Sequence, residues 1–148
     1  MDVIIEEINF NDWPFIENEI IKVEKDAFED EVRFKKEDFE NTFKNPLMSG
    51  VVVKFNGKII AYSTGFPEDT NFYIESVAVI KNFQGKGIGK KMLIKFIEII
   101  TSKGYKSISM HATSQAMKEI AQKLGFKEVQ FINKYVGNRD AWYMIKIL

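Results

Sequence analysis

The patterning of this chain predicts an α/β (α+β) fold, a mixed central sheet flanked by helices, in one domain spanning residues 1–148. Three observations carry that expectation. Residues 50–55 and 58–66 are rich in valine and isoleucine and flank Asn56-Gly57, the strongest short signal for an antiparallel hairpin. From residue 72 onward, apolar strand-like runs alternate with segments of helical period, which demands crossovers and helices on both faces of the sheet. No linker rich in Pro, Gly or Ser and no internal repeat interrupts the chain.

In order, residues 3–8 are short and apolar and read as a first strand. Asn11 or Asp12 can cap a helix with Pro14 in its first turn, and Trp13, Ile16, Ile20, Val23 and Ala27 recur at steps of three and four. The acidic run Glu29-Asp30-Glu31 breaks that face, and a shorter helix follows from about Lys36, with Phe39 and Phe43 on one side and Asn45-Pro46 as its stop. After the hairpin, residues 67–71 make a turn and residues 72–80 a strand. The next helix, 87–102, presents Ile88, Met92, Leu93, Phe96, Ile97 and Ile100 as a core stripe and ends at Lys103-Gly104. Strand 107–112, a helix starting at Thr113 or Ser114 and ending at Leu124-Gly125-Phe126, and strands 126–131 and 141–148 complete the order β-α-α-β-β-β-α-β-α-β-β.

Composition narrows the function. Formal net charge is zero, and Arg33 and Arg139 are the only arginines, so no nucleic-acid or membrane partner is expected. With no cysteine and His111 as the single histidine, disulfides, a thiol nucleophile and a zinc site fall away, and no metal is expected. No apolar stretch approaches a membrane span, and no basic segment followed by an apolar run opens the chain. A cytoplasmic protein, monomer or homodimer, is the expectation.

The informative stretch is Gln84-Gly85-Lys86-Gly87-Ile88-Gly89-Lys90-Lys91, between an apolar strand and an amphipathic helix. Free amides and the positive dipole end at a helix start bind anions, and glycines let a ligand approach the backbone. Lys86, Lys90 and Lys91 add charge, so a phosphate-bearing ligand is expected. Three residues, not four, separate Gly85 from Gly89-Lys90, and Lys91 stands where a P-loop has Ser or Thr. Gly85-x-Gly87-x-Gly89 also lacks the dinucleotide register.

Gln84-x-x-Gly87-x-Gly89 after its strand resembles the acyl-CoA pyrophosphate loop of the GCN5-related N-acetyltransferase (GNAT) superfamily, and the predicted element order resembles that fold over essentially the whole chain. Lys123-Leu124-Gly125-Phe126 is similar to the family's second signature; residues 23–28, 43–46 and 56–62, with Tyr135 and residues 140–144, look like the branch that acetylates protein N-terminal amines (ribosomal-protein-alanine acetyltransferases). The resemblance implies acetyl-CoA as cosubstrate and an amine acceptor: a protein or peptide N-terminus, a lysine, or a small amine. It implies that Gln84, Gly85, Lys86, Gly87, Ile88, Gly89 and Lys90 cradle the pyrophosphate. It also implies that the strand bearing Val77, Ala78 and Val79 splays from its neighbour to take the pantetheine arm, that Ser114 bonds that arm, and that Glu75 is the base. A structural ion pair or a solvent-facing edge position is the other reading of Glu75.

The match fails at the general acid, because Ala121 stands where the family often has tyrosine and Ser109 where that branch often has glutamate. His111 and Tyr135 are the substitute candidates, with a structural role open for His111; Tyr62 and Tyr73 are expected in the core. The acids Glu24, Glu29, Asp30 and Glu31 favour a cationic acceptor, unless they form a solvated face. An acyl-CoA-binding sensor or subunit with weak catalysis is the alternative function.

Overall fold

The computed structural model describes residues 2–148. Among them, seven strands form one sheet and four helices cover its two faces. The strands are β1 (Ile4–Ile8), β2 (Ser49–Phe55), β3 (Lys58–Glu68), β4 (Asn71–Val79), β5 (Ser107–Ala112), β6 (Lys127–Val136) and β7 (Arg139–Ile147). The helices are α1 (Trp13–Ala27), α2 (Lys36–Lys44), α3 (Ile88–Ser102) and α4 (Gln115–Lys123). Spatial order is β1-β2-β3-β4-β5-β7-β6, and β4–β5 is the one parallel pairing. The predicted order of elements holds throughout.

Boundaries moved where cross-strand pairing overrides local signals. β3 runs through Pro67 to Glu68, because Pro67 and Glu68 pair with Phe72 and Asn71 and leave Asp69-Thr70 as the turn. β6 reaches Val136, well past Phe131, because β7 starts at Arg139 and pairs back along it. The Asn56-Gly57 hairpin forms as expected, with φ of 51° and 77° at its two turn residues.

Two apolar layers sandwich the sheet. On one face Ile88, Met92, Leu93, Phe96 and Ile100 of α3 pack on Val51, Val53, Phe72, Ile74, Ile108 and Met110. On the other, Ile20 and Val23 of α1 and Phe39 and Phe43 of α2 pack on Val52, Ile59, Tyr62 and Ala78, with Trp13 stacked on Phe43 at 4.7 Å.

β4 changes faces between these layers. Phe72 and Ile74 belong to the α3 layer, yet Ala78, of the same parity, belongs to the α1 layer. The switch is a β-bulge: Ser76 lies opposite Thr64 and Ile74 opposite Gly65, so Glu75 has no partner on β3. Pairing with β5 ends at Ile74, at the same place. Gly65 is pressed against the bulge, and a Cβ there would land on the Tyr73 carbonyl oxygen and within 2.6 Å of the Phe72 ring. Gly65→Ala is expected to cost about 1–3 kcal/mol by overpacking, read as a lowered thermal midpoint. An unchanged midpoint would mean that β3 and β4 are not held this closely.

Candidate active site

A cleft of about 950 Å³ opens where β4 leaves β5. One end is the start of α3. Gly87 is its N-cap at φ 80°, Gly85 stands at φ 75°, and a Cβ built on either meets nothing within 4 Å. The first hydrogen bond of the helix is Lys91 N–H to the Gly87 carbonyl, so the amides of Ile88, Gly89 and Lys90 have no intrahelical acceptor. Gln84 ties this loop to the strand by donating from Nε2 to the Val79 carbonyl at 2.8 Å.

The middle of the cleft is the freed edge of β4. Ile80 N–H donates to the Ile60 carbonyl on β3. By the alternation of a strand, the N–H groups of Val77 and Val79 therefore point the other way, into the gap that β5 has vacated. Val77 and Val79 line the cleft, as do Gln84, Gly85, Gly87, Ile88, Gly89, Lys90 and Ser114. Ala78 and Lys86 do not. Strand alternation turns the Ala78 side chain into the opposite layer, and the Lys86 ammonium lies over the Phe83 ring at 5.4 Å. Ser114 caps α4, its Oγ accepting from Met117 N–H at 3.1 Å.

The far end collects the titratable groups. The bulge aims Glu75 toward α2, where Thr42 Oγ1 donates to its Oε2 at 2.5 Å. Burial raises the Glu75 carboxyl above the usual carboxylate range, the Thr42 bond opposes that, and the charge of Asp38 adds to it. Tyr73, two residues earlier on the same face, is half-buried and lies 2.7 Å by its hydroxyl from His111 Nδ1. Burial, with help from neighbouring Tyr135, raises the Tyr73 phenol, and burial lowers His111. Tyr73 therefore stays protonated, and its hydroxyl can donate to Nδ1 of His111 in one ring tautomer or accept from Nδ1–H in the other. Tyr135 stacks on the His111 ring at 4.5 Å and 11°, with Tyr143 at 4.8 Å on another side.

Glu75, His111 and Tyr135 thus share one cleft. Tyr73, expected in the core, belongs with them, and Thr42 is a further partner. The signal for Tyr73 was its two-residue spacing from Glu75, legible only once β5 was known to lie beside β4. Ala121 and Ser109 are fully buried outside the cleft, Ser109 accepting from Asn71 Nδ2 at 2.8 Å. Of the acids expected to favour a cationic acceptor, Glu24 is 2% exposed with both oxygens engaged, by Tyr62 Oη at 2.6 Å and Phe34 N–H at 2.8 Å. Asp30 is paired with Arg33 and Lys35.

This fold is shared with transferases that acetylate amines. The ribosomal-protein-S18-alanine N-acetyltransferase from Escherichia coli superposes with a TM-score of 0.84 at 18% identity, over 99% of this chain and 94% of that one. The PaiA N-acetyltransferase from Thermoplasma acidophilum, in complex with coenzyme A, gives 0.76 at 16% identity over the full length of both chains. An aminoglycoside 6'-acetyltransferase type Ii gives 0.77 at 18% identity, over 97% and 96%. No curated protein matches by sequence. A model of the acetyltransferase (GNAT) family matches residues 9–142, and the chain belongs to that family. It is an acetyl-CoA-dependent N-acetyltransferase.

The residues present fit this cosubstrate, because the glycines leave open space before unpaired amides and the β4 edge is free beside them. Gly87→Glu forces a left-handed backbone on a residue with a Cβ, at about 1–2 kcal/mol, and puts a carboxylate in the cradle. The thermal shift that CoA gives the wild-type protein is expected to vanish in a variant that still melts cooperatively. A retained shift would move the pyrophosphate elsewhere.

Proposed function

We propose that the protein acetylates a primary amine at a slim, apolar chain end, a peptide N-terminus in particular, with Glu75 as the base. The observation that carries this is the placement of Glu75 at the bulge, where the freed edge of β4 and the acceptor side of the cleft meet.

Acetyl-CoA supplies an acetyl thioester whose thiolate leaves once the amine has attacked. The unpaired amides of Ile88, Gly89 and Lys90 in the first turn of α3 and the ammonium of Lys90 hold the pyrophosphate. The Val77 and Val79 amides hold the arm, and the Val77 N–H stabilises the charge that develops on the carbonyl oxygen. Ser114 bonds the arm from the other side. Glu75 takes the ammonium proton, directly or through a water, and Thr42 fixes its rotamer. Glu75 passes that proton on to solvent; Tyr135 gives its own proton to the departing sulfur and takes back the second proton that the attacking nitrogen sheds as it becomes an amide. His111, in the tautomer whose Nδ1 accepts from Tyr73, stabilises the departing charge through Nε2–H.

The acceptor follows from the walls. Phe28, Val32 and Phe34 come from the segment between α1 and α2, and Tyr135 and Val136 from the end of β6. The two sides nearly touch: the Arg139 guanidinium lies 5.8 Å from the Phe28 ring centre, and a Cβ on Gly137 would meet the Glu31 side chain at 3.2 Å. Walls of Phe28, Val32, Phe34 and Val136, the Arg139 guanidinium beside them and a Glu24 carboxylate with both oxygens engaged leave Glu75 as the deep carboxylate with an open oxygen, which favours a single amine on an apolar carrier over a polyamine or aminoglycoside.

CoA-thiol release across peptides, polyamines and aminoglycosides tests the acceptor, with peptides of apolar first residue expected to lead. A polycation as the best acceptor would overturn that part. Glu75→Gln is expected to lower kcat/KM by about 10²–10⁴ while sparing the CoA thermal shift; equal loss of both would overturn the role. The pH profile carries a sign. Glu75 works ionised and burial raises its pKa, so activity should climb through a midpoint above the ordinary carboxylate value of about 4.3. Asp38 adds negative charge, and the buried Tyr62 and half-buried Tyr73 stay neutral. That acid limb should disappear in Glu75→Gln.

A further inference from the structure

The acceptor wall is built on a segment with no regular structure, residues 28–35. Among the described residues, its own hydrogen bonds stay local. Val32 and Arg33 N–H groups donate to the Glu29 carbonyl, Arg33 Nη2 donates to the Phe28 carbonyl, and Lys35 N–H donates to Asp38 at the start of α2. One bond leads inward, from Phe34 N–H to Glu24 Oε2 at 2.8 Å. The other oxygen of Glu24 accepts from Tyr62 Oη at 2.6 Å, and Tyr62 is fully buried on β3. A continuous path thus runs from the sheet through a side chain of α1 to the backbone of the acceptor wall.

A carboxylate 2% exposed is costly to bury, and an apolar pair would fill the same space without that cost. Two donors in different elements, meeting one carboxylate, explain its presence better than packing does. Glu24 borders the acceptor end of the cleft, yet each of its oxygens already accepts a hydrogen bond from the protein, and at 2% exposure its remaining lone pairs are barely accessible to an incoming ammonium. Burial raises its pKa, while the two donated bonds and the Arg33 charge pull it back.

We propose that Glu24 is a positioning residue for the acceptor: it ties the Phe28–Val32–Phe34 wall to the sheet through Tyr62, and so sets acceptor affinity without touching the reacting atoms. This rests on the acceptor-side reading of that wall.

The test is steady-state kinetics of Glu24→Ala, Glu24→Gln and Tyr62→Phe on the amine that the wild-type protein turns over best, with melting curves for each. Glu24→Ala is expected to raise acceptor KM tenfold or more while kcat stays within threefold and acetyl-CoA KM within twofold. Glu24→Gln should recover most of the loss, because its Oε1 can accept from Phe34 N–H and its Nε2 can donate to Tyr62 Oη. Tyr62→Phe should give a smaller rise in acceptor KM, and it remains informative should Glu24→Ala fold poorly. An unmoved acceptor KM, or a parallel fall of all parameters with the melting temperature, would reduce Glu24 to a structural role. A Gln variant as impaired as the Ala variant would make the charge itself the active feature and overturn positioning. Val32→Lys separates the two readings: if a cation in that wall leaves acceptor KM unchanged, the wall is not the acceptor side. If Val32→Lys raises KM and the Glu24 variants do not, the clamp alone fails.

Discussion

The structure depends on the parting of β4 from β5 at Glu75. One extra residue there breaks the register with β3, ends the pairing with β5 and turns the strand over, so that Phe72 and Ile74 serve one core layer and Ala78 the other. A regular strand would either bury Glu75 against α3 or leave Val77 and Val79 hydrogen-bonded to a neighbour. Neither arrangement leaves a cleft with a free backbone edge and a carboxylate at its side.

A bulge leaves backbone groups unpaired, and here side chains satisfy them. Ser63 Oγ donates to the Ser76 carbonyl at 2.6 Å, Thr64 N–H donates to Ser76 Oγ at 3.1 Å, and the Thr64 and Ser76 hydroxyls lie 2.6 Å apart. All three residues are buried, so each bond removes a desolvation penalty that water cannot relieve. The polar cluster explains why hydroxyls interrupt an otherwise apolar pair of strands. Beyond it, the glycine loop forms one end of the cleft and the segment between α1 and α2 lines the other.

Much of this was legible in the sequence, because local rules and tertiary demands agree. The Asn56-Gly57 turn, the α3 stripe from Ile88 to Ile100 and the glycine loop each carry a short-range signal that the fold respects. The lining of the cleft was legible where motif and strand adjoin, as at Gln84, Gly87 and Val77. It was not legible where two distant elements meet. Tyr73 reads as one more aromatic on an apolar strand until β5 brings His111 beside it, and Thr42 has no meaning before α2 folds over the bulge. Glu24 reads as part of an acidic face at one helix end, whereas Tyr62 and Phe34, 38 and 10 residues away, make it a buried junction. Ala78 and Lys86 show the converse, since they belong to the same contiguous motif while strand alternation and a loop turn send their side chains away from the cleft.

The most direct measurement is amide hydrogen exchange over residues 75–80 and 85–91, with and without CoA. Unpaired amides at Val77 and Val79 and at the start of α3 should exchange quickly in the free protein and slow markedly when CoA binds, while 71–74, paired on both sides, should be slow in both states. Protection of 77–79 already present without CoA, or no change on its addition, would mean that β4 does not open here and that the account of the cleft is wrong.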